Sequence, residues 1–147
     1  PACPQWRTTP VVVDLNRDGL MDLVMLDHEG YLAFFERARE ADRLILREPR
    51  RAFVDRQGQP IRLTSGVAGK SGRRKLCATD WDGDGLTDFL LNSANADLLR
   101  CVEERSGVWV MVPAGTLAKR NIEGHDVSPT TVDFDGEHIK SALVFGV

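Results

Sequence analysis

The sequence predicts an all-β protein made of β-propeller blades, about two and a half of them, each four-stranded and antiparallel. The first observation is a short loop motif of spaced oxygen-bearing side chains. It occurs three times, the last time in altered form, with starts 66 and 53 residues apart. The second is that short apolar runs, rich in β-branched and aromatic residues, flank every copy. A repeat of about 50 residues with four short strands is typical of a propeller blade.

The first predicted blade covers about residues 10–63. One apolar run leads into the loop motif and a second run leaves it, as expected for the first two strands of a blade. Residues 36–43 could form a helical turn by composition, but we interpret them as a loop that leads into the fourth strand. A small hairpin between 53–54 and 61–63 is expected after it. The four predicted strands are 11–13, 22–26, 31–35 and 44–46.

The second predicted blade, about residues 73–113, repeats the first, and a partial third blade covers about residues 128–147. Pro113 ends the last strand of the second blade. The predicted strands of the second blade are 76–78, 89–91, 98–102 and 108–112. The third blade is expected to contain only its first two strands, 130–132 and 142–145.

The best-preserved loop is residues 80–88, DWDGDGLTD, with carboxylates at positions 1, 3, 5 and 9 and Gly85 at position 6. Carboxylates this close repel one another unless a cation neutralises them, and the glycine permits a sharp turn. A hard divalent cation that takes six to eight oxygens, chiefly calcium, fits this pattern. An EF-hand needs Glu at position 12, where this chain has Leu91. The loop is therefore predicted to bind calcium between strands, through Asp80, Asp82, Asp84 and Asp88.

The other two copies differ in how much of the pattern they keep. In the first copy, residues 14–22, Gly19 stands at position 6 and the candidate metal ligands are Asp14, Asn16, Asp18 and Asp22. The third copy, residues 133–141, has His138 where the glycine should be and Ser141 at position 9. We therefore expect weak or no binding at its candidate ligands, which are Asp133, Asp135 and Glu137.

These loops and their flanking strands resemble the FG-GAP/VCBS repeat family. That family provides the calcium-binding blades of integrin-α-type propellers, some fungal lectins and many secreted bacterial proteins, including propeller polysaccharide lyases. The resemblance covers about residues 11–36, 74–113 and 129–147. It implies that one backbone carbonyl completes each calcium site, here that of Leu20 or Leu86. It also implies an extracellular or cell-surface protein, where calcium is abundant enough to staple such loops.

Propellers of this family have about seven blades, which close into a ring and leave no exposed strand edges. A chain of 147 residues cannot close a ring of blades of about 50 residues. We therefore expect the chain to be part of a larger propeller, or else an open or self-assembled array.

Two classes of function follow from the resemblance. The first is a calcium-stapled scaffold that presents loops to a carbohydrate or a protein, as in cell adhesion. The alternative is a fragment of a propeller polysaccharide lyase or hydrolase that acts on acidic polysaccharide. We find no nucleophile–base constellation, which favours the scaffold, whereas His125 and the basic residues of the chain favour the enzyme.

A basic segment, residues 47–75, contains nine basic and two acidic residues in a chain whose net charge is −3. The segment is either a solvated connection or a site for a polyanion such as a uronate-bearing polysaccharide, which arginine forks would suit. The candidate polyanion-binding residues are Arg50, Arg51, Arg73, Arg74 and Lys75.

Other partner classes have little support. No apolar run approaches the roughly 18 residues of a membrane span, and we expect no nucleic-acid partner. The three cysteines make neither a disulfide-dense scaffold nor a CxxC zinc pattern. Cys77 and Cys101 are predicted on the first and third strands of one blade, about 9.6 Å apart, which is too far for a disulfide.

Overall fold

The computed structural model describes residues 9–64, 74–92, 96–117, 128–132 and 142–146. Within these ranges the chain forms twelve β-strands and no helix, which confirms the all-β prediction. The strands are β1 (Val11–Val13), β2 (Asp22–Leu26), β3 (Leu32–Phe35), β4 (Arg37–Glu40), β5 (Arg43–Leu46), β6 (Phe53–Val54), β7 (Leu76–Thr79), β8 (Asp88–Leu91), β9 (Asp97–Arg105), β10 (Val108–Thr116), β11 (Ser128–Val132) and β12 (Ala142–Gly146).

The strands form four sheets, in the orders β1-β2-β3, β6-β10-β9-β8-β7, β4-β5 and β11-β12. β1 to β3 pair antiparallel in chain order, and so do β7 to β10, which form the expected four-stranded arrangement of the second repeat. The predicted end of the last strand at Pro113 is wrong, because β10 continues to Thr116 and Pro113 lies opposite Leu99. None of the sheets in the described ranges closes on itself. The arrangement of the sheets as propeller blades, and the blade boundaries, stay predictions.

Aromatic side chains join the first sheet to the five-stranded sheet. Phe34 of β3 meets Trp109 of β10 with ring centroids 5.1 Å apart and planes at 62°. Phe53 of β6 stacks on Trp109 at 5.6 Å and meets Phe89 of β8 edge-on at 5.5 Å. All four rings are fully buried. Since buried aromatic pairs in these geometries are favourable beyond their area alone, this cluster fixes how the two sheets pack.

Residues 36–43, interpreted from the sequence as a loop, are mostly strand. Arg37–Glu40 (β4) pairs antiparallel with Arg43–Leu46 (β5), and the turn between them has Ala41 at a φ of 52°. The charged composition hid the strand because the hairpin is largely solvent-exposed. A hairpin of this kind needs cross-strand pairs rather than apolar alternation, and Glu40 opposes Arg43 in the register.

A strand is present at the predicted position 44–46, as part of β5, but it pairs with β4. Its predicted place as the fourth strand, beside β3, is therefore wrong. The free edge of β3 is covered by two later segments of the chain. Phe34 and Arg50 exchange backbone hydrogen bonds of 2.9 and 3.0 Å, and the Leu32 N–H donates to the Ile61 carbonyl at 2.9 Å. These contacts use the backbone, so side-chain pattern gave no sign of them.

The small hairpin predicted at 53–63 is present, but it also makes a contact that the sequence did not predict. The Ile61 N–H donates to the Phe53 carbonyl at 2.9 Å, and Val54 bridges Pro60. β6 also pairs parallel with β10, with Phe53 opposite Trp109. β6, which was predicted within the first blade, is therefore an added edge strand of the five-stranded sheet.

Candidate metal centre

Each of the two described loops connects neighbouring antiparallel strands at the same relative place. The first joins β1 to β2, with Val13 opposite Asp22, and the second joins β7 to β8, with Thr79 opposite Asp88. The last acid of each motif is thus the first residue of a strand, and both are fully buried. The prediction that the loops lie between strands is confirmed.

One hydrogen bond to the acid at position 1 is common to both loops, whereas the second donor is at position 5 in the first loop and at position 4 in the second. Asp14 accepts from the Gly19 N–H at 2.9 Å, and Asp80 accepts from the Gly85 N–H at 3.0 Å. Both glycines have a φ of 84°, which a residue with a Cβ adopts only with strain. Each loop therefore turns its backbone N–H groups onto the first carboxylate.

The acid at position 5 also plays the same part in both loops. The Leu20 N–H donates to Asp18 and the Leu86 N–H donates to Asp84, each at 2.8 Å. Leu20 and Leu86 thus occupy equivalent places, and their carbonyls as calcium ligands stay a prediction. In the first loop the Asn16 side-chain amide donates to Asp18 at 3.0 Å.

The buried acid at position 9 binds the backbone of its own loop and of a later strand, which is β4 for Asp22 and β9 for Asp88. Asp22 accepts from the N–H groups of Leu15 and Arg37, at 3.1 and 2.8 Å. Asp88 accepts from those of Trp81 and Cys101, at 2.9 and 2.8 Å. Both oxygens of each carboxylate are engaged, so each acid is a fixed corner of its loop rather than a solvated side chain.

Burial raises the pKa of both closing carboxyls above the ordinary value of 3.8. The backbone N–H donors act in the opposite direction without cancelling it, and the charges of Asp84 and Asp80 add to the raised pKa of Asp88. Ionising these groups is therefore costly in a loop that lacks a cation, and a bound cation would favour the charged form.

The second loop brings three acidic side chains together. One oxygen each of Asp80, Asp82 and Asp88 lie within 4.8 Å of one another, close enough for a single metal ion to contact all three. Among the described residues, no other group of three or more histidine, cysteine or acidic side chains meets this criterion. The first loop has Asn16 in place of one acid.

An arginine that the sequence analysis did not single out lies on the second loop. Arg100 of β9 donates from Nη2 to Asp82 and lies 3.5 Å from Asp84 Oδ2. The sequence contains only an electrostatic indication of this contact, because four neighbouring acids attract any nearby cation, including a basic side chain. Sequence spacing alone did not place residue 100 beside residue 82.

The remaining candidate residues are not gathered into one site. The Arg50 guanidinium donates to the Gly107 carbonyl at 2.9 Å and lies over the Phe34 ring. Arg51 pairs with Asp27 and Glu29 and lies 3.9 Å from the Tyr31 ring centroid. Arg74 and Lys75 precede β7. Outside the described residues lie Arg73, Asp133, Asp135 and Glu137. Polyanion binding stays a prediction.

Comparisons with family models, with curated proteins and with solved structures found no match to this chain. In the described part of the chain there is no helix long and apolar enough to cross a membrane.

Proposed function

We propose that this chain is a calcium-binding propeller module of a secreted or surface protein, a scaffold that presents its loops to a carbohydrate or a protein. The observation that carries the proposal is the repeated hydrogen-bond network of the two loops. A pattern of spaced acids could arise once by chance, but two loops 66 residues apart also share backbone turns and buried closing acids. Such matched geometry is expected where both loops serve the same ligand.

In this role calcium would act as a staple. It would join oxygens from both ends of a loop and so fix the turn between the first two strands of each repeat. If it binds only the folded loops, it would stabilise the chain by a free energy that rises with the logarithm of the calcium concentration once this exceeds the dissociation constant. Loops of this type suit the millimolar calcium found outside cells. In a larger propeller, neighbouring blades would protect the edge strands of each sheet.

Calorimetric titration of the chain with calcium tests the proposal, with magnesium as the comparison cation. We expect about two sites and a melting temperature that rises with calcium, because the ion binds only the folded form. Asp80→Asn should weaken one site, since it removes a charged ligand and one of the two oxygens that accept the Gly83 and Gly85 N–H groups. Asp42→Asn, an exposed acid in the β4–β5 turn, is the matched control. Absence of heat and of any melting shift at millimolar calcium would contradict the proposal.

The ligand of the scaffold is a separate question, for which the basic segment supplies a test. We expect retention of the chain on an immobilised acidic polysaccharide, and weaker retention of the Arg74→Gln, Lys75→Gln double variant. Arg39→Gln with Arg43→Gln, two exposed arginines of the β4–β5 hairpin, removes the same charge elsewhere. Equal retention of all three proteins would exclude a specific polyanion site around β7.

A further inference from the structure

We propose that Arg100 is an internal cation of the second loop, which a divalent cation must displace from Asp82 and Asp84 in order to bind. The side chain would thereby lower the calcium affinity of this loop and set it apart from the first. The inference rests on the proposed calcium-binding function and concerns regulation of that same site.

The backbone of β9 holds Arg100 beside the loop. Its neighbour Cys101 donates its N–H to the closing acid Asp88 at 2.8 Å, which fixes this point of the strand against the motif. From there the guanidinium reaches the acids at positions 3 and 5, donating to Asp82 Oδ2 and lying 3.5 Å from Asp84 Oδ2. The arginine therefore takes up oxygens that the proposed calcium site needs.

The guanidinium is not held at its Nε. The side chain is 32% exposed, yet Nε itself is buried, and within the described part of the chain it has no hydrogen-bond partner. A buried donor of a side chain with a purely structural role normally has a partner, because an unmade hydrogen bond is costly. Here the attraction is to the acidic loop, through the Nη2 end, and a doubly charged ion would compete for the same oxygens with twice the charge.

At the equivalent position the first loop has a glutamate instead of an arginine. In that loop the N–H that binds the closing acid belongs to Arg37, so the residue equivalent to Arg100 is Glu36. The Glu36 carboxylate lies 3.9 Å from Arg47. The two loops thus share a backbone network but have opposite charges at this one position. The first loop also has fewer charged ligands, since Asn16 replaces an acid.

Trp81 makes the second loop observable by itself, because it occupies position 2 of that loop. Terbium, which takes the place of calcium at oxygen sites, emits when a nearby tryptophan is excited. Titration of the full chain with terbium, followed by displacement with calcium, therefore reports the affinity of this loop. The Trp81→Phe variant identifies the part of the emission that comes from it.

The test compares Arg100→Gln with Arg105→Gln, a second arginine on β9 that pairs with Glu103 instead of a loop acid. Removing one positive charge next to a divalent ion should tighten calcium binding at the second loop roughly tenfold. Arg105→Gln should leave it unchanged, although the net charge changes equally. Arg100→Met, which keeps the apolar stem, should behave like Arg100→Gln and guards against a folding defect in either variant.

Unchanged or weaker binding in both folded Arg100 variants would overturn the inference and leave the proposed calcium function intact. Calcium binding by both variants but not by the wild type would support it strongly. Absence of Trp81-sensitised emission and of calorimetric heat in every protein would instead refute the proposed function, and the inference with it.

Discussion

Arg17 of the first loop donates a hydrogen bond from Nη2 to the carbonyl oxygen of Gly85 in the second loop, over 2.6 Å. The two residues are 68 positions apart in the sequence. Arg17 stands at position 4 of its loop with a φ of 60°, and the equivalent residue of the second loop, Gly83, has a φ of 78°. The shared turn thus projects the arginine of one loop onto the backbone of the other.

Replacing Arg17 by alanine should loosen the contact between the loops. We expect a loss of about 0.5–1.5 kcal/mol in the free energy of unfolding, the usual contribution of one such hydrogen bond. Urea denaturation measures it, with Arg39→Ala on the exposed hairpin as the control. Equal stability of the two variants would show that the contact does not contribute.

Asp84→Ala should weaken calcium binding at the second loop alone. Its carboxylate is at position 5, and its Oδ1 also accepts the Leu86 N–H at 2.8 Å, so the change removes a proposed ligand and relaxes the turn. Asp18→Ala, at the same position of the first loop, should weaken only the other site. Calorimetry of both variants decides the point, and loss of both sites in either variant would mean that the loops do not act separately.

Asp88→Asn should destabilise the protein even without calcium. The buried carboxylate accepts two backbone N–H groups, one on each oxygen, and asparagine has a single oxygen to offer. One buried N–H is then left without a partner, at a cost of about 1–3 kcal/mol. Urea denaturation in the presence of a chelator measures it, and the exposed Asp42→Asn should change little. If the variant were as stable as the wild type without calcium, the two hydrogen bonds of Asp88 would not contribute to holding the loop.

Asp27 should make the protein sensitive to acid. Burial raises the pKa of its carboxyl, but hydrogen bonds from Arg51, Tyr31 and Glu29 outweigh this and lower the pKa below the ordinary 3.8. The unfolded chain then binds the proton more readily than the folded one. The stabilisation is present above pH 3.8, the ordinary pKa of the carboxyl, and is lost as the pH falls through the lower pKa of the folded state.

The comparison of wild type with Asp27→Asn isolates this effect. The raised pKa values of Asp22 and Asp88 favour the folded state as the pH falls, but they do so in both proteins and therefore cancel in the difference. Urea denaturation between about pH 5 and pH 3 should show the wild-type advantage shrinking as the pH falls. An advantage that is independent of pH would mean that the Arg51 pair does not stabilise the charged carboxyl.

Cys101 should be unreactive in the folded protein. Its side chain is fully buried, and burial raises the pKa of its thiol to about 11, so little thiolate exists near neutral pH. Cys77 is partly exposed and should react first with a thiol reagent, measured in a Cys3→Ser background. Urea should remove the difference. Rapid native labelling of Cys101 would contradict its burial.

Both cysteines are free, as predicted, because β8 runs between β7 and β9. Mass spectrometry of a non-reduced digest should therefore contain no Cys77–Cys101 peptide. Detection of that peptide would require a different strand order in the second sheet.

The sequence by itself determined the features that depend on local chemistry. Spaced acids with a glycine at position 6 specify the loops, and short β-branched and aromatic runs specify the strands on either side, since both depend on neighbouring residues. The strands of the second repeat and the separation of Cys77 from Cys101 followed from that order of elements.

Only the tertiary structure decided which distant groups meet. The parallel pairing of β6 with β10 and the cover of β3 by Arg50 and Ile61 use backbone hydrogen bonds, which every residue can make and which leave no side-chain pattern. The sequence shows that Arg51 and Arg100 are charged, but their pairing with Asp27 and Asp82 depends on how the strands pack. Charge acts on any group that packing brings near, so pairings between residues far apart in the chain arise only when the sheets assemble.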